Sequence, residues 1–132
     1  MYFSQSIYFL NTFVSAGFPS PAGDLFASQL SLQDYLIKNP NSTICIRVSG
    51  DSMKRIGIFS GDILIVDKSI TPRNNHIILC TLDGEFLVKK LSRNNKSIKL
   101  ISENKHYPSI SISEYDDFKI LGVVTASVKK FL

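Results

Sequence analysis

The stretch that decides the fold is residues 77–91, which read IILCTLDGEFLVKKL. Its two apolar runs are separated only by Asp83-Gly84, a dipeptide that readily adopts the positive backbone angles of a two-residue turn. Short apolar runs on either side of such a turn are typical of an antiparallel hairpin. We therefore predict strands over residues 76–82 and 85–91, joined by a tight turn.

Strand patterns continue on both sides of this hairpin, between clusters of glycine, proline, asparagine and serine. The further predicted strands cover residues 44–49, 62–67, 97–102 and 118–128. A helix is predicted before them, because Leu32 and Leu36 share a helical face behind a possible capping serine, Ser31. Pro40 limits its C-terminal end. The fold class is therefore mostly β, with many short strands and one short helix.

A chain of 132 residues is long enough for one domain with its own hydrophobic core. Gly17, Pro19 and Pro21 interrupt regular structure near the N-terminus. We predict an extended or partly helical arm at residues 1–22 and a compact domain at residues 23–132. No apolar run approaches the length of a membrane-spanning helix, so we expect no membrane partner.

An alternative interpretation of the arm is a secretory signal, since Val14-Ser15-Ala16 resembles the small-residue site that signal peptidases cut. No lysine or arginine precedes that site, and several polar residues break up the apolar run. The signal peptide is therefore the weaker interpretation. It predicts export and a mature chain that begins at Gly17.

The net charge of +4 is unevenly distributed along the chain. Lys38 is the only lysine or arginine before Arg47, whereas six basic residues crowd the stretch from Lys89 to Lys105. That stretch would suit nucleic acid, but a solvated hairpin with a charged loop is the simpler interpretation. The sequence has no helix-turn-helix pattern and no zinc-ligand spacing, so we expect no direct sequence-specific binding to DNA.

Ser52 is the first residue that suggests chemistry. It lies in a Gly-x-Ser turn, Gly50-Asp51-Ser52, just after the predicted strand over residues 44–49. A serine hydroxyl becomes a nucleophile when a neighbouring base takes its proton, and backbone N–H groups in such a turn can stabilise an oxyanion. The simpler alternative is a serine that only completes the turn.

The candidate base is one of two lysines, Lys89 and Lys90, in an apolar strand. Strand alternation places them on opposite faces, each in apolar company, so periodicity does not choose between them. A buried lysine has a lowered pKa and can supply a neutral amine as a general base. The alternative is two surface lysines whose ammonium groups reach solvent.

Other reactive residues give weaker patterns. His76 and His106 have no acidic partner in an arrangement typical of a catalytic triad, and Asp116-Asp117 is typical of a solvated turn. Cys45 and Cys80 lie in apolar strand patterns, and we expect buried, reduced thiols there, with a disulfide between them as the alternative. Metal ligands do not cluster in the sequence, so we expect neither a metal nor a cofactor.

Taken together, these residues resemble the LexA/UmuD family of self-cleaving Ser/Lys peptidases. The matching motifs, in chain order, are Ala16-Gly17 with Phe18-Pro19-Ser20-Pro21, Ser49-Gly50-Asp51-Ser52-Met53, GDILIVD at residues 61–67, DGEFLVKKL at residues 83–91, and Gly122-Val123-Val124. The UmuD-like subgroup is the most similar, because Phe18-Pro19-Ser20-Pro21 follows the cleavage point and no DNA-binding pattern occurs in the sequence.

The resemblance implies a compact LexA-like catalytic domain in which Ser52 is the nucleophile, Lys89 the general base and Ala16–Gly17 the bond that is cut. It implies that the backbone N–H groups of Ser52 and a neighbour form the oxyanion hole. It also implies a cytoplasmic homodimer whose self-cleavage is stimulated by RecA filaments on single-stranded DNA during the SOS response to DNA damage. The shortened product would join a UmuC-like Y-family polymerase subunit in translesion synthesis.

One departure from the UmuD-like pattern concerns the bond itself. Many UmuD-like proteins carry Cys-Gly there, whereas this chain has Ala16-Gly17, the form typical of LexA repressors. The residue before the bond is still small, so we expect cleavage to be retained. The alternative function is a non-cleaving interaction protein of the same fold that binds a polymerase or a repressor, and it predicts an intact chain under every condition.

Overall fold

The computed structural model describes residues 7–10, 13–18, 27–29 and 31–132. The chain divides into two compact units, Met1–Lys38 and Asn39–Leu132, and each is described here by itself. The predicted boundary between residues 22 and 23 lies outside the described residues, so it stays a prediction.

The described residues of the first unit form two short strands and a short helix. Strand β1 (Tyr8–Leu10) pairs antiparallel with β2 (Ala27–Gln29). Helix α1 (Leu32–Leu36) begins after Ser31, whose Oγ accepts a hydrogen bond from Asp34 N at 3.3 Å. That bond satisfies one of the free N–H groups at the helix start, which confirms the predicted cap.

The second unit is a seven-stranded antiparallel sheet, which confirms the mostly β fold class. Its strands are β3 (Thr43–Arg47), β4 (Ile63–Asp67), β5 (Ile77–Leu82), β6 (Glu85–Arg93), β7 (Ile98–Ile101), β8 (Ile110–Ile112) and β9 (Phe118–Val128). Their order across the sheet is β3-β4-β9-β5-β6-β7-β8. The last strand in sequence, β9, therefore lies between β4 and β5 and joins the two parts of this sheet.

The predicted hairpin is confirmed as β5–β6. Leu82 pairs with Glu85 across the turn, and Asp83 and Gly84 have φ angles of 51° and 84°. Two successive positive φ angles are the signature of a type I′ turn, whose twist matches that of the flanking strands. The turn fixes the register of β6, and with it the position of every side chain on that strand.

The hydrophobic core consists of two clusters, on opposite faces of the sheet. One contains Met53, Ile58, Leu64, Val66 and Leu79, and the other contains Ile78, Cys80, Leu91, Leu100 and Val123. Consecutive residues of β5 thus enter different clusters. Because both faces of this part of the sheet are covered, its strands are apolar on both sides rather than simply alternating.

The other predicted strands are confirmed: the bounds of β9 are as predicted, and the ends of the rest differ by at most two residues. Strand β8 (Ile110–Ile112) was not predicted, since three residues between a proline and a serine give too short a pattern. Over the described part of the chain, no helix has the length and apolar character needed to cross a membrane.

A buried carboxylate, Asp67, fixes the end of β4. It accepts hydrogen bonds from Asn39 Nδ2 at 2.8 Å and from Ser42 Oγ at 2.9 Å. The backbone N–H and the hydroxyl of Ser69 donate to it as well, at 2.8 and 2.7 Å. These hydrogen bonds, led by that of Asn39, hold the pKa of Asp67 well below its ordinary value, so the carboxylate stays ionised.

Candidate active site

Ser52 lies in a tight turn between β3 and a short 3₁₀ helix, Lys54–Ile56. Gly50 and Gly57 flank the turn with φ angles of 95° and 86°, in a region that favours glycine. The neighbouring Met53 side chain is buried in the first core cluster. The core therefore fixes the turn on one side of Ser52, while the serine itself is half-buried.

Two backbone N–H groups at this turn have no hydrogen-bond acceptor within residues 31–132. Within residues 31–132, neither the Ser52 nor the Met53 N–H donates a hydrogen bond to the protein. Adjacent unused N–H groups beside a serine hydroxyl form the kind of arrangement that stabilises an oxyanion.

Lys89 lies near the middle of β6, and its Nζ donates a hydrogen bond to Ser102 Oγ at 2.8 Å. The ring centroid of Tyr107 is 5.6 Å from the same Nζ, and Cys80 approaches from the neighbouring strand β5. Burial among these groups lowers the pKa of Lys89 below its ordinary value, with a small opposing effect from Cys80. A neutral amine is thus more accessible here than on a surface lysine.

The two adjacent lysines have different environments. Lys89 is only 6% exposed, whereas the Lys90 side chain is 29% exposed and forms an ion pair with Glu103. The Glu103 carboxylate therefore holds the Lys90 amine, whereas the partner of the Lys89 amine is a neutral hydroxyl. The structure thus distinguishes two residues that strand alternation left equivalent.

Ser52 and Lys89 line the same cleft, which has a volume of about 270 Å³. Most of its wall is apolar, and the apolar lining residues include Ile46, Val48, Leu79, Phe86, Leu87 and Val88. Among the described residues, Ser52 Oγ and Lys89 Nζ make no direct hydrogen bond. A cleft with largely apolar walls and a small number of polar groups is typical of a binding or catalytic site.

Residues 102–107, which we call the brace, connect the strand that pairs with β6 to the serine turn. The backbone oxygen of Glu103 accepts a hydrogen bond from Arg55 N at 2.8 Å. Asn104 is almost fully buried and donates to the Asp51 backbone oxygen at 2.9 Å. Tyr107 donates to the Asp51 carboxylate at 2.7 Å, which raises the pKa of the tyrosine. The brace therefore contacts both sides of the candidate site.

The candidate cleavage bond belongs to the first unit. Ala16 and Gly17 are exposed, and Gly17 N donates a hydrogen bond to Ser15 Oγ at 3.3 Å. An added Cβ at Gly17 would meet no atom within 4 Å. The bond is therefore accessible within its own unit, which a peptidase substrate requires.

The histidines, the Asp116-Asp117 pair and the cysteines named in the sequence analysis are not among the residues that line the cleft. His76 Nδ1 accepts a hydrogen bond from Arg73 N at 3.1 Å, and His106 is exposed on the brace. Asp116 accepts a hydrogen bond from Ser113 N at 2.7 Å in a turn. Cys45 and Cys80 are free thiols, and the prediction of burial is confirmed for Cys80 but wrong for Cys45, which is exposed on the edge strand β3. Burial raises the pKa of Cys80 to about 11.

Sequence reasoning missed Ser102, Asn104 and Tyr107. Each forms a hydrogen bond with a residue of the candidate site that lies at least 13 positions away from it in the sequence. A single serine, asparagine or tyrosine at the end of a strand gives no periodic signal. Only the register of β6 and β7, which pairs Lys90 with Ile101, places Ser102 opposite Lys89.

Comparison with known proteins gives consistent matches over most of the chain. A family model described as "Peptidase S24-like" matches residues 8–125. Protein SamA of Salmonella typhimurium is 43% identical over 115 residues, which are 87% of this chain and 79% of SamA.

Two further relatives extend this result. Protein MucA of Escherichia coli is 38% identical over 125 residues, which are 94% of this chain and 85% of MucA. The LexA repressor of a Marinomonas species is 32% identical over 120 residues, which are 90% of this chain and 58% of the repressor. The range matched by the family model includes Ser52, Lys89 and the bond between Ala16 and Gly17.

Proposed function

This chain belongs to the Peptidase S24-like family, a family of serine peptidases that includes LexA-like and UmuD-like proteins, and we propose that it cleaves its own N-terminal arm. The proposed nucleophile is Ser52, the general base is Lys89, and the bond is Ala16–Gly17. The observation that carries the proposal is the cleft that Ser52 shares with a buried lysine of lowered pKa. Acylation of a serine with a lysine as base requires this combination of groups.

In the proposed reaction, neutral Lys89 takes the proton from Ser52 Oγ, and the oxygen attacks the carbonyl carbon of Ala16. The N–H groups of Ser52 and Met53 stabilise the negative charge that develops on the carbonyl oxygen. The Lys89 ammonium then returns its proton to the Gly17 nitrogen, which leaves as an amine. Water, deprotonated by Lys89, hydrolyses the ester at Ser52, and the fragment that begins at Gly17 is the product.

The apolar cleft suits an extended peptide with a small residue before the bond. Val14-Ser15-Ala16-Gly17 would enter it, with the alanine methyl against the cleft wall. A substrate in the same chain or dimer has a high effective concentration, so a modest catalytic pair is sufficient. Control then depends on how often the arm occupies the cleft, which a stimulating partner can increase without contributing to the chemistry.

The biological role that we propose follows from the family. We place the protein in the cytoplasm as a homodimer in the SOS response, where a RecA filament on single-stranded DNA stimulates the cleavage. The shortened chain then serves as the accessory subunit of a UmuC-like error-prone polymerase in translesion synthesis. Similarity to protein MucA and to a LexA repressor over most of the chain supports this role.

The experiment that tests the activity is incubation of the purified full chain at mildly alkaline pH without any other protease. Gel electrophoresis and mass analysis should show a single cut after Ala16. Ser52→Ala and Lys89→Ala should stay intact, because each removes one member of the pair. The matched controls Ser111→Ala and Lys90→Ala should be cut at the wild-type rate.

Cleavage that persists in Ser52→Ala would exclude the proposed mechanism. A wild-type chain that stays intact at alkaline pH, with and without a RecA filament, would instead support the non-cleaving interaction protein. Export with a cut after Ala16 that is independent of Ser52 would support a signal peptide.

A further inference from the structure

The clearest unexplained contact in the cleft region is the hydrogen bond from Lys89 Nζ to Ser102 Oγ, at 2.8 Å. Ser102 directly follows β7, and the β6–β7 register places it opposite Lys89. The contact is therefore a cross-strand pair fixed by the sheet, and not a chance approach of two flexible side chains.

We propose that Ser102 is a positioning residue for the Lys89 amine in the self-cleavage reaction, so this inference rests on the proposed function. A neutral amine has two N–H groups and one lone pair. When Ser102 Oγ accepts one N–H, it restricts rotation of the amine and leaves the lone pair free for the proton of Ser52. Without that acceptor, the amine can turn its lone pair away from the cleft.

The chemistry of a hydroxyl suits this position. Lys89 must alternate between a neutral amine and an ammonium during each turnover, and a hydroxyl oxygen can accept an N–H from both forms. A carboxylate in the same place would favour the ammonium strongly and raise the pKa of the lysine. Lys90 has such a carboxylate partner in Glu103, so the two adjacent lysines differ in this respect too.

The position of Ser102 relative to the nucleophile is also fixed. Ser102 is the first residue of the brace, and the brace is hydrogen-bonded to the serine turn through Asn104 and Tyr107, both of which contact Asp51. One short segment therefore fixes the acceptor of the lysine and the residue that precedes the serine. A shift of the brace would change both partners together.

Two other groups on neighbouring elements face the Lys89 amine. They are the Cys80 thiol of β5 and the ring of Tyr107, which is 5.6 Å from Nζ. Burial raises the pKa of Cys80 to about 11, and the hydrogen bond to Asp51 raises the pKa of Tyr107. Both shifts favour the neutral form of the group, and the hydrogen-bond acceptor of Lys89 Nζ in the structure is Ser102 Oγ.

The test compares Ser102→Ala with Ser102→Thr in the full chain, across a pH series of self-cleavage rates. Ser102→Ala should lower the plateau rate on the order of 10²-fold, because the base loses its orientation. Its pH midpoint should move to lower pH, because the ammonium loses a hydrogen-bond acceptor. Ser102→Thr keeps the hydroxyl and should recover most of the rate, and Ser111→Ala should match the wild type.

A second measurement does not need cleavage. In the Ser52→Ala background, the Lys89 titration can be followed by NMR of a labelled lysine side chain, with and without Ser102→Ala. The inference predicts a lower pKa in the double variant. An unchanged Lys89 titration, an unchanged plateau rate in Ser102→Ala, or a rate loss with a lower Tm and no change of midpoint would each overturn it.

Results that would contradict the proposed function differ from results that would contradict only the role of Ser102. If the wild-type chain is not cut, or if Lys89→Ala is cut normally, the Ser/Lys mechanism is wrong whatever Ser102 does. The titration in the Ser52→Ala background still shows whether Ser102 controls the amine.

Discussion

Two buried charged residues of this molecule, Asp67 at the end of β4 and Lys89 in the cleft, differ in how their charge is satisfied. Asp67 accepts four hydrogen bonds from Asn39, Ser42 and Ser69, and its pKa is lowered, so the charged form is favoured. Lys89 donates one hydrogen bond, to Ser102, and burial lowers its pKa, so the neutral form is more accessible than in a surface lysine.

The difference shows how burial acts on an ionisable group. Burial with enough hydrogen-bond partners keeps the charge and fixes local structure, whereas burial with few partners brings the group close to a change of protonation. The first environment is structural, and the second is the one that acid-base chemistry requires. Four predictions test this contrast, in order of expected effect.

The largest effect is expected from Lys89→Met, which replaces a buried amine by an apolar side chain of similar length. Self-cleavage should fall by at least about 10³-fold, because the general base is lost. The free energy of unfolding should stay the same or increase, because no buried amine remains to be desolvated. Gel-based rates and urea unfolding measure the two quantities. Lys90→Met is the matched control, and a comparable rate loss there would contradict the assignment.

The second prediction concerns pH. Only neutral Lys89 accepts the proton, so the rate should rise about tenfold per pH unit and level off at a pH below the ordinary lysine value of 10.5. The pKa of Lys89 is lower in the folded chain than in the unfolded chain, so between these two values the unfolded chain binds more protons. The contribution of Lys89 to the free energy of unfolding therefore increases as the pH rises towards 10.5 and decreases as the pH falls. A pH series of rates and urea midpoints, with Lys89→Met as reference, checks both trends.

The third prediction concerns Asp67→Asn, which replaces the buried group whose charged form is favoured by a neutral amide. The amide cannot accept all the hydrogen bonds that the carboxylate accepts, so Tm should fall by about 5–10 °C. The cleavage rate of the folded protein should stay within about twofold of the wild type, since Asp67 does not line the cleft.

Acid conditions give a further readout for the same variant. Because the folded pKa of Asp67 is lowered, its stabilisation is present above 3.8 and is lost as pH falls below that value. Asp67→Asn should therefore show a weaker loss of stability in acid than the wild type. An equally steep loss in both proteins would show that Asp67 is not the group responsible.

The smallest effect is expected from Gly122→Ala, which adds a methyl group on β9 where that strand packs against the same end of β4. An added Cβ would lie 2.7 Å from Val66 Cγ1 and 3.1 Å from the Asp67 backbone oxygen. Overpacking of this kind typically costs about 1–3 kcal/mol, and the lower chain entropy of alanine offsets part of it. Urea unfolding should show that Gly122→Ala lowers the free energy of unfolding by about 1–2 kcal/mol. The control Gly17→Ala should leave the free energy of unfolding unchanged, because there is open space around Gly17.

The sequence predicted the parts of this fold that depend on local patterns. Asp83-Gly84 specified a hairpin because few dipeptides adopt two positive φ angles, and Ser31 specified a helix start because its side chain caps a neighbouring N–H. The resemblance to a known family then assigned roles to Ser52 and Lys89, which no local pattern could do.

What the sequence left open depends on long-range packing. Lys89 and Lys90 were equivalent because both faces of the sheet are covered by apolar clusters, so alternation did not identify a solvent side. Ser102 was not recognised because its importance comes from the pairing of β6 with β7. Strand β8 was missed because its three residues owe their conformation to pairing with β7, and not to a strand pattern of their own.

The position of β9 has a consequence for when the candidate active site can assemble during synthesis. Ser52 follows β3 and Lys89 lies on β6, and in the sheet those two parts are joined through β9, the last strand to be translated. A growing chain on the ribosome therefore already exposes Ala16–Gly17 and Ser52 while the sheet that unites Ser52 with Lys89 cannot yet form. Under the proposed function, the order of translation protects the arm until β9 has been synthesised.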